Sequence, residues 1–189
     1  MEEAYSKNGL IGILVNKKII DFPALIRACR VELKLFGYSN EALFQDFESV
    51  KALGEVIQKK EIDVKILICD PHSEVAKLRD NEPLYRERDL ISEIRNTVQG
   101  YQNFIKEISP KDRGKIKLGL FDKIAYTSIV IFDQHCITSQ YSNHLSGSAG
   151  DCFVYKNNPT CSSNTYRVIH QEFMTRWKES TIFTENDYK

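Results

Sequence analysis

Residues 64–71 read VKILICDP. The run is nearly continuously apolar from Val64 to Cys69 and stops at Asp70-Pro71, which suits a central strand of a parallel sheet covered on both faces. The residue before a proline is pushed away from helical geometry, so the chain turns there. Just upstream, FESVKALGEVIQKKEI (47–62) sets Phe47, Val50, Leu53 and Ile57 on one helical face, with Lys51, Glu55, Lys59 and Lys60 elsewhere. Before that helix, VELKLFGYS (31–39) alternates, with Val31, Leu33 and Leu35 on one side and Glu32 and Lys34 on the other. Gly37 lets the chain turn at the strand end and present Tyr38, Ser39 and Asn40. Strand, helix and strand over 31–70 form a βαβ unit, which predicts adjacent parallel strands at 31–36 and 64–69 joined by a crossover helix.

Outward from this unit, FPALIRACR (22–30) has helical spacing, with Pro23 acceptable in a first turn. The stretch GLIGILV (9–15) reads as a buried strand or helix turn. Seven apolar residues are too few to cross a bilayer, and no basic segment or small-residue cleavage site accompanies them. Residues 1–21 are therefore read as an N-terminal extension or edge element. Downstream, a polar helical region runs from His72 to Ile108. Pro83 divides a short helix from a longer one carrying Leu90, Ile94, Val98, Tyr101 and Ile105 on one face. KIKLGLFD, YTSIVIFD and HCITSQYS then read as three closely spaced strands. In the terminal helix TYRVIHQEFMTRW, Tyr166, Ile169, Phe173 and Trp177 form a core stripe.

The chain of 189 residues, 42% hydrophobic and 28% charged, suffices for one domain over 1–189 with a core of its own. Lys plus Arg and Asp plus Glu number 26 each, so no general attraction to nucleic acid or to an anionic membrane is implied. The five cysteines (29, 69, 136, 152 and 161) are odd in number and make no CxxC pair, which favours a reducing cytoplasm. The histidines at 72, 135, 144 and 170 have no ligand spacing, so no structural metal is expected. No cofactor is expected either.

Within the second of the three late strands, YTSIVIFD (126–133) precedes QYSN, which ends at Asn143. Here the chain resembles the phospholipase D superfamily, whose signature has the form HxKxxxxD followed by GSxN. Laid on that signature, Asp133 and Asn143 match, while Tyr126 stands at the histidine position and Ser128 at the lysine position. The order of elements from about residue 22 to 178 is similar to one phospholipase D-like repeat. It also resembles catalytically degenerate domains, often attached to bacterial helix-turn-helix regulators, that carry YxSxxxxD here. The resemblance implies an α/β fold of one such repeat, with a mixed, mostly parallel sheet flanked by helices. It also implies a homodimer, because active members assemble one site from two repeats.

The departures bear on chemistry. A tyrosine phenol, with an ordinary pKa near 10, is a poor substitute for a nucleophilic imidazole at neutral pH. Loss of the lysine removes the charge that would stabilise a pentavalent phosphate. No catalytic residue is therefore expected. Ser39, Asn40 and Asp70 fall at the rim beyond the carboxyl ends of the parallel strands, and the resemblance implies that Tyr126, Ser128 and Asn143 open onto the same pocket, so these six are the candidate ligand-binding residues. The leading reading is a non-catalytic ligand-binding or sensor domain for a phosphate-bearing or polar small molecule. A divergent phosphodiesterase or nuclease using His135 or His144 is one alternative, and a protein-interaction module is another.

Overall fold

The structure is a computed structural model and describes residues 8–85, 88–142, 150–161 and 164–184. The elements run β1 (Leu10–Leu14), α1 (Phe22–Ala28), β2 (Glu32–Phe36), α2 (Ala42–Gln45), α3 (Phe47–Lys59), β3 (Asp63–Cys69), α4 (Glu74–Asp80) and α5 (Leu90–Glu107). They continue with β4 (Ile116–Phe121), β5 (Thr127–Phe132), β6 (His135–Gln140), β7 (Cys152–Lys156), α6 (Thr165–Glu179) and β8 (Thr181–Ile182). One eight-stranded sheet joins them in the order β1-β7-β6-β5-β2-β3-β4-β8.

The βαβ unit is present as the pattern predicts. β2 and β3 pair in parallel, with Leu33 opposite Val64 and Leu35 opposite Ile66, and α3 crosses between them. Asp46 caps α3 by accepting a hydrogen bond from the Ser49 amide at 3.0 Å, satisfying one of the free donors of the first turn. Of the faces of α3 and α5 that the spacing singled out, Leu53, Ile57, Leu90, Ile94 and Val98 are buried and Val50 is half-buried, whereas Phe47, at the first position of α3, is exposed. In α6, Tyr166, Phe173 and Trp177 are buried as the stripe requires.

The sheet is mixed and flanked by helices, as expected, but it is not mostly parallel. Only β2/β3 and β3/β4 are parallel, while the other five of the seven pairings are antiparallel. Connection length explains the difference: β5 and β6 are joined through Asp133-Gln134 alone, and a link that short can only make a hairpin. The N-terminal apolar stretch becomes β1, an edge strand rather than a buried one, with Ile11 and Ile13 exposed. The short run at 152–155 supplies β7, beside it.

Two faces follow from the alternation. α6 lies across β4 to β7 on one face, and the side of β2 carrying Lys34 is closed there. The Lys34 ammonium donates to Glu32 and lies 3.3 Å from His170 Nε2, so its charge is compensated inside the protein. α1, α2, α3 and α5 pack together on the opposite face, over Leu33 and Leu35.

Candidate functional site

At the carboxyl end of β2 the chain makes a sharp departure, and the side chains that meet there depend on Gly37. A Cβ at this residue would lie 2.8 Å from the Tyr141 hydroxyl and 3.0 Å from Asn40 Oδ1. Without it, the two polar groups converge over the backbone. Asn40 has φ 52, in the left-handed region that asparagine tolerates better than most residues. Among the described residues, its buried Nδ2 has no hydrogen-bond partner. Tyr141 receives a hydrogen bond from the Tyr38 amide at 3.2 Å, and the two rings meet edge to face at 4.9 Å. The Tyr38 hydroxyl donates to the Ala125 carbonyl and accepts from the Ala125 amide, both at 3.2 Å. The rim is thereby fixed by aromatic side chains with used polar ends.

This rim bounds a cavity of about 540 Å³. Its floor is Ser128 on β5, flanked by Val130 and, across the sheet, Leu35. Ser128 Oγ lies 2.7 Å from Ser139 Oγ on β6, its register partner. Onto this hydroxyl pair comes Lys17, from the short 3-10 turn Lys17–Ile19 that follows β1. Asn16 caps the turn by accepting from the Lys18 amide at 3.0 Å. The Lys17 side chain enters the protein and its ammonium donates to Ser128 Oγ. Lys17 is only 9% exposed, and burial lowers its pKa from 10.5 to about 8.

The far wall comes from α5 and its approach. Ser39 donates to Glu93 at 3.2 Å, and Arg88 donates to the same carboxylate at 2.7 Å. Behind the wall, the Arg79 guanidinium stands between the rings of Tyr38, Tyr85 and Tyr141, 5.2, 5.7 and 5.4 Å from their centroids. It pairs with Glu82 and donates to the Ser142 carbonyl. Cation and aromatic faces attract in such an arrangement, and α4 is tied by it to the end of β6.

Of the residues chosen from the sequence, Ser39, Asn40 and Ser128 line this one cavity. Tyr126 does not line it; its side chain is 71% exposed. Asp70 is not in the lining either, and its carboxylate accepts from the His72 amide at 2.8 Å in the turn after β3. Asn143 and His144 lie outside the described residues. His135 begins β6 at the opposite end of the sheet, stacked on Phe132 at 5.4 Å, with burial lowering its pKa. The residue that sequence reasoning overlooked is Lys17, since nothing local in NKKI distinguishes one lysine from its neighbour. Only the pairing of β1 with β7 carries it to β5.

The signature's aspartate is also far from the cavity. Asp133 has φ 49, and its carboxylate accepts the amides of Arg30, Val31 and Glu32 at 2.8–3.2 Å. It fixes the entry of β2. Beside it is a second concavity of about 400 Å³, lined among others by Glu32, Tyr166 and His170, where Glu32 Oε1 is 3.2 Å from both the Tyr166 hydroxyl and His170 Nε2. Cys29, Cys69, Cys136 and Cys152 are buried free thiols, and burial raises the pKa of each. Among the described residues, no group of three His, Cys, Asp or Glu side chains could hold a metal ion, and no helix is long and apolar enough to cross a membrane.

No protein-family model and no curated protein sequence matches the chain. Among solved structures it is similar to TrmBL2, described as an archaeal chromatin protein with a novel mode of DNA binding, at a TM-score of 0.52 and 12% identity. That match covers 91% of this chain and 52% of the other, so the chain spans about half the length of TrmBL2. A second similar structure is NucT from Helicobacter pylori, at a TM-score of 0.46 and 12% identity, with 86% of this chain and 88% of that one covered. At this identity, the likeness to TrmBL2 is one of fold.

Proposed function

We propose that this chain is a non-catalytic phospholipase D-like domain that binds a polar or phosphate-bearing small molecule at the rim formed by β2, β5 and α5. The observation that carries this reading is the cavity that Ser39, Asn40 and Ser128 share, together with the buried amide of Asn40, which has no partner among the described residues. A buried donor without an acceptor is costly, and a bound ligand is a natural source of the missing partner. Concave sites with an apolar wall and a few convergent polar groups are where small molecules bind. The test is a thermal-shift screen of nucleotides, sugar phosphates and lipid head groups against wild type, Ser39→Ala and Ser128→Ala. A hit is expected to raise the wild-type melting temperature and to bind each variant roughly 5- to 100-fold more weakly, the range for loss of one buried hydrogen bond. Hits whose stabilisation is the same in both variants place the ligand elsewhere and sink the reading. No turnover of generic phosphodiesters is expected, since Tyr126 and Ser128 supply neither an imidazole nor a lysine at the signature.

The DNA binding named for TrmBL2 supplies a second reading, a nucleic-acid partner for this chain. The balanced charge of 26 basic and 26 acidic residues gives it less support than the cavity gives the first. Fluorescence anisotropy with a duplex at low and moderate salt separates them. Tight, salt-sensitive binding favours the second reading.

A further inference from the structure

We propose that Lys17 is the anchor for an anion: the cavity's ligand carries a carboxylate or phosphate group that sits on the Lys17 ammonium above the Ser128 and Ser139 hydroxyls, with an apolar body along α1. This inference deepens the cavity reading and rests on it. Lys17 is nine-tenths buried, yet among the described residues no carboxylate lies within ion-pairing distance of it, and its ammonium donates to a neutral hydroxyl. Lys34, the other buried lysine on the sheet, has Glu32 as its partner. A buried cation lacking a counter-charge destabilises a fold and calls for an anion from outside.

The groups that could have neutralised Lys17 are occupied. Asp21 caps α1 by accepting from the Ala24 amide, and Asp46 caps α3. Glu41 accepts from Gln45 and Asn96, and Glu93 from Arg88 and Ser39. Cys152 on β7 is electrostatically coupled to Lys17, but burial raises its pKa, so at neutral pH it is a thiol rather than a thiolate. The Tyr38 and Tyr141 hydroxyls, which also face this space, are raised by burial and stay protonated. The other cations of the lining are Lys18 and Arg88, and Arg88 is paired with Glu93. The place for an anion is therefore at Lys17 itself, away from the carboxylates of Asp21, Glu41 and Asp46 that cap or bond elsewhere. Away from Lys17 the lining turns apolar, with Ile20, Phe22, Pro23, Leu35, Leu43 and Val130. A ligand that matches both parts is an organic anion with a hydrocarbon or aromatic body, and inorganic phosphate alone would leave the apolar wall unfilled.

The probes are phenyl phosphate, benzoate and the neutral benzyl alcohol, titrated calorimetrically at pH 6.5 into wild type and Lys17→Met. At least one of the two anions is expected to bind wild type ten-fold or more tighter than benzyl alcohol, and to lose that advantage in Lys17→Met. The order of phenyl phosphate and benzoate then identifies the head group. A second measurement covers the case in which Lys17→Met does not fold: with ¹³Cε-labelled lysine, assigned through Lys17→Arg, the Lys17 titration midpoint should move upward when the anion saturates the site. Equal binding of anion and alcohol, anion binding undiminished in Lys17→Met, or an unmoved midpoint overturns the role of Lys17 and leaves the cavity reading standing. No binding of any of the three probes overturns the cavity reading and this inference together.

Discussion

The two ends of β5, in the stretch YTSIVIFD, differ in how their polar groups are satisfied. At the Asp133 end, one carboxylate is met by three backbone amides. At the Ser128 end, among the described residues, a buried ammonium has a hydroxyl for company and a buried amide has no partner. Polar groups that serve only the fold are normally paired within it. The contrast separates an end of this stretch whose carboxylate is paired within the fold from an end whose buried cation and amide are not.

The largest expected effect lies at the closed end. Asp133→Ala removes the acceptor for the three amides that start β2 and puts an alanine at φ 49, where its Cβ is strained. Loss of stability by about 3–4 kcal/mol is expected, since hydrogen bonds to a charged acceptor are worth more than neutral ones. Urea denaturation measures it. Asp133→Asn keeps the tolerance for positive φ and one acceptor oxygen, and should cost less than half as much. Equal losses in both variants would mean that charge, not geometry, holds this corner.

At the open end the sign reverses. Lys17 has a folded-state pKa of about 8 against 10.5, so between those values the unfolded chain holds a proton that the native protein has released. Stability therefore rises with pH from about 8 to about 10.5, and below that window the protein carries the cost of burying the charge. Replacing a buried ion by an apolar side chain of similar length commonly stabilises, and Lys17→Met is expected to gain about 1–3 kcal/mol at pH 7. Its stability should also lose the rise above pH 8. Chemical denaturation of both proteins at pH 7 and pH 9.5 checks this, and a destabilised Lys17→Met would make the lysine a structural strut.

This asymmetry also governs what could be read in the sequence. The βαβ unit, the division of the helical region at Pro83 and the stripe Tyr166, Phe173, Trp177 were legible because periodicity reports burial directly. Ser39 and Asn40 could be placed at the end of β2 because its parallel pairing with β3 follows from the pattern, whereas Ser128 came to the same rim only through the resemblance and lines the cavity because β5 pairs with β2. The antiparallel majority of the sheet was less visible, since apolar runs do not state direction and only the two-residue link at Asp133-Gln134 does. Lys17 was illegible for a stronger reason. It is 111 residues from Ser128, and its role depends on which edge β1 chooses.

Gly37 tests whether the open end is shaped by packing. An alanine there would place its Cβ 2.8 Å from the Tyr141 hydroxyl, which is held by the Tyr38 amide and cannot easily retreat. A loss of about 1–2 kcal/mol is expected from this overpacking. Ligands found by the thermal-shift screen should weaken as well, because Asn40 would be displaced with Tyr141. A variant with unchanged stability and unchanged binding would show that the rim yields without consequence.

The smallest effect expected is at Asn40, and its sign is the informative part. The residue has left-handed backbone geometry and an Nδ2 with no partner among the described residues, two features that each disfavour the protein without ligand. Asn40→Gly removes both: glycine adopts φ 52 without steric cost, and the stranded amide is gone. Against this stands the greater freedom of glycine in the unfolded chain, roughly 0.5–1 kcal/mol. The balance favours the variant by about 0.5 kcal/mol, a small shift in urea midpoint at constant slope. If Asn40 is retained for a ligand, stabilisation should be accompanied by weaker binding of every hit that also depends on Ser128. If Asn40→Gly is destabilised, the side chain supports the fold through contacts of its oxygen near Gly37, and the distinction between a closed and an open end of β5 loses one of its two supports.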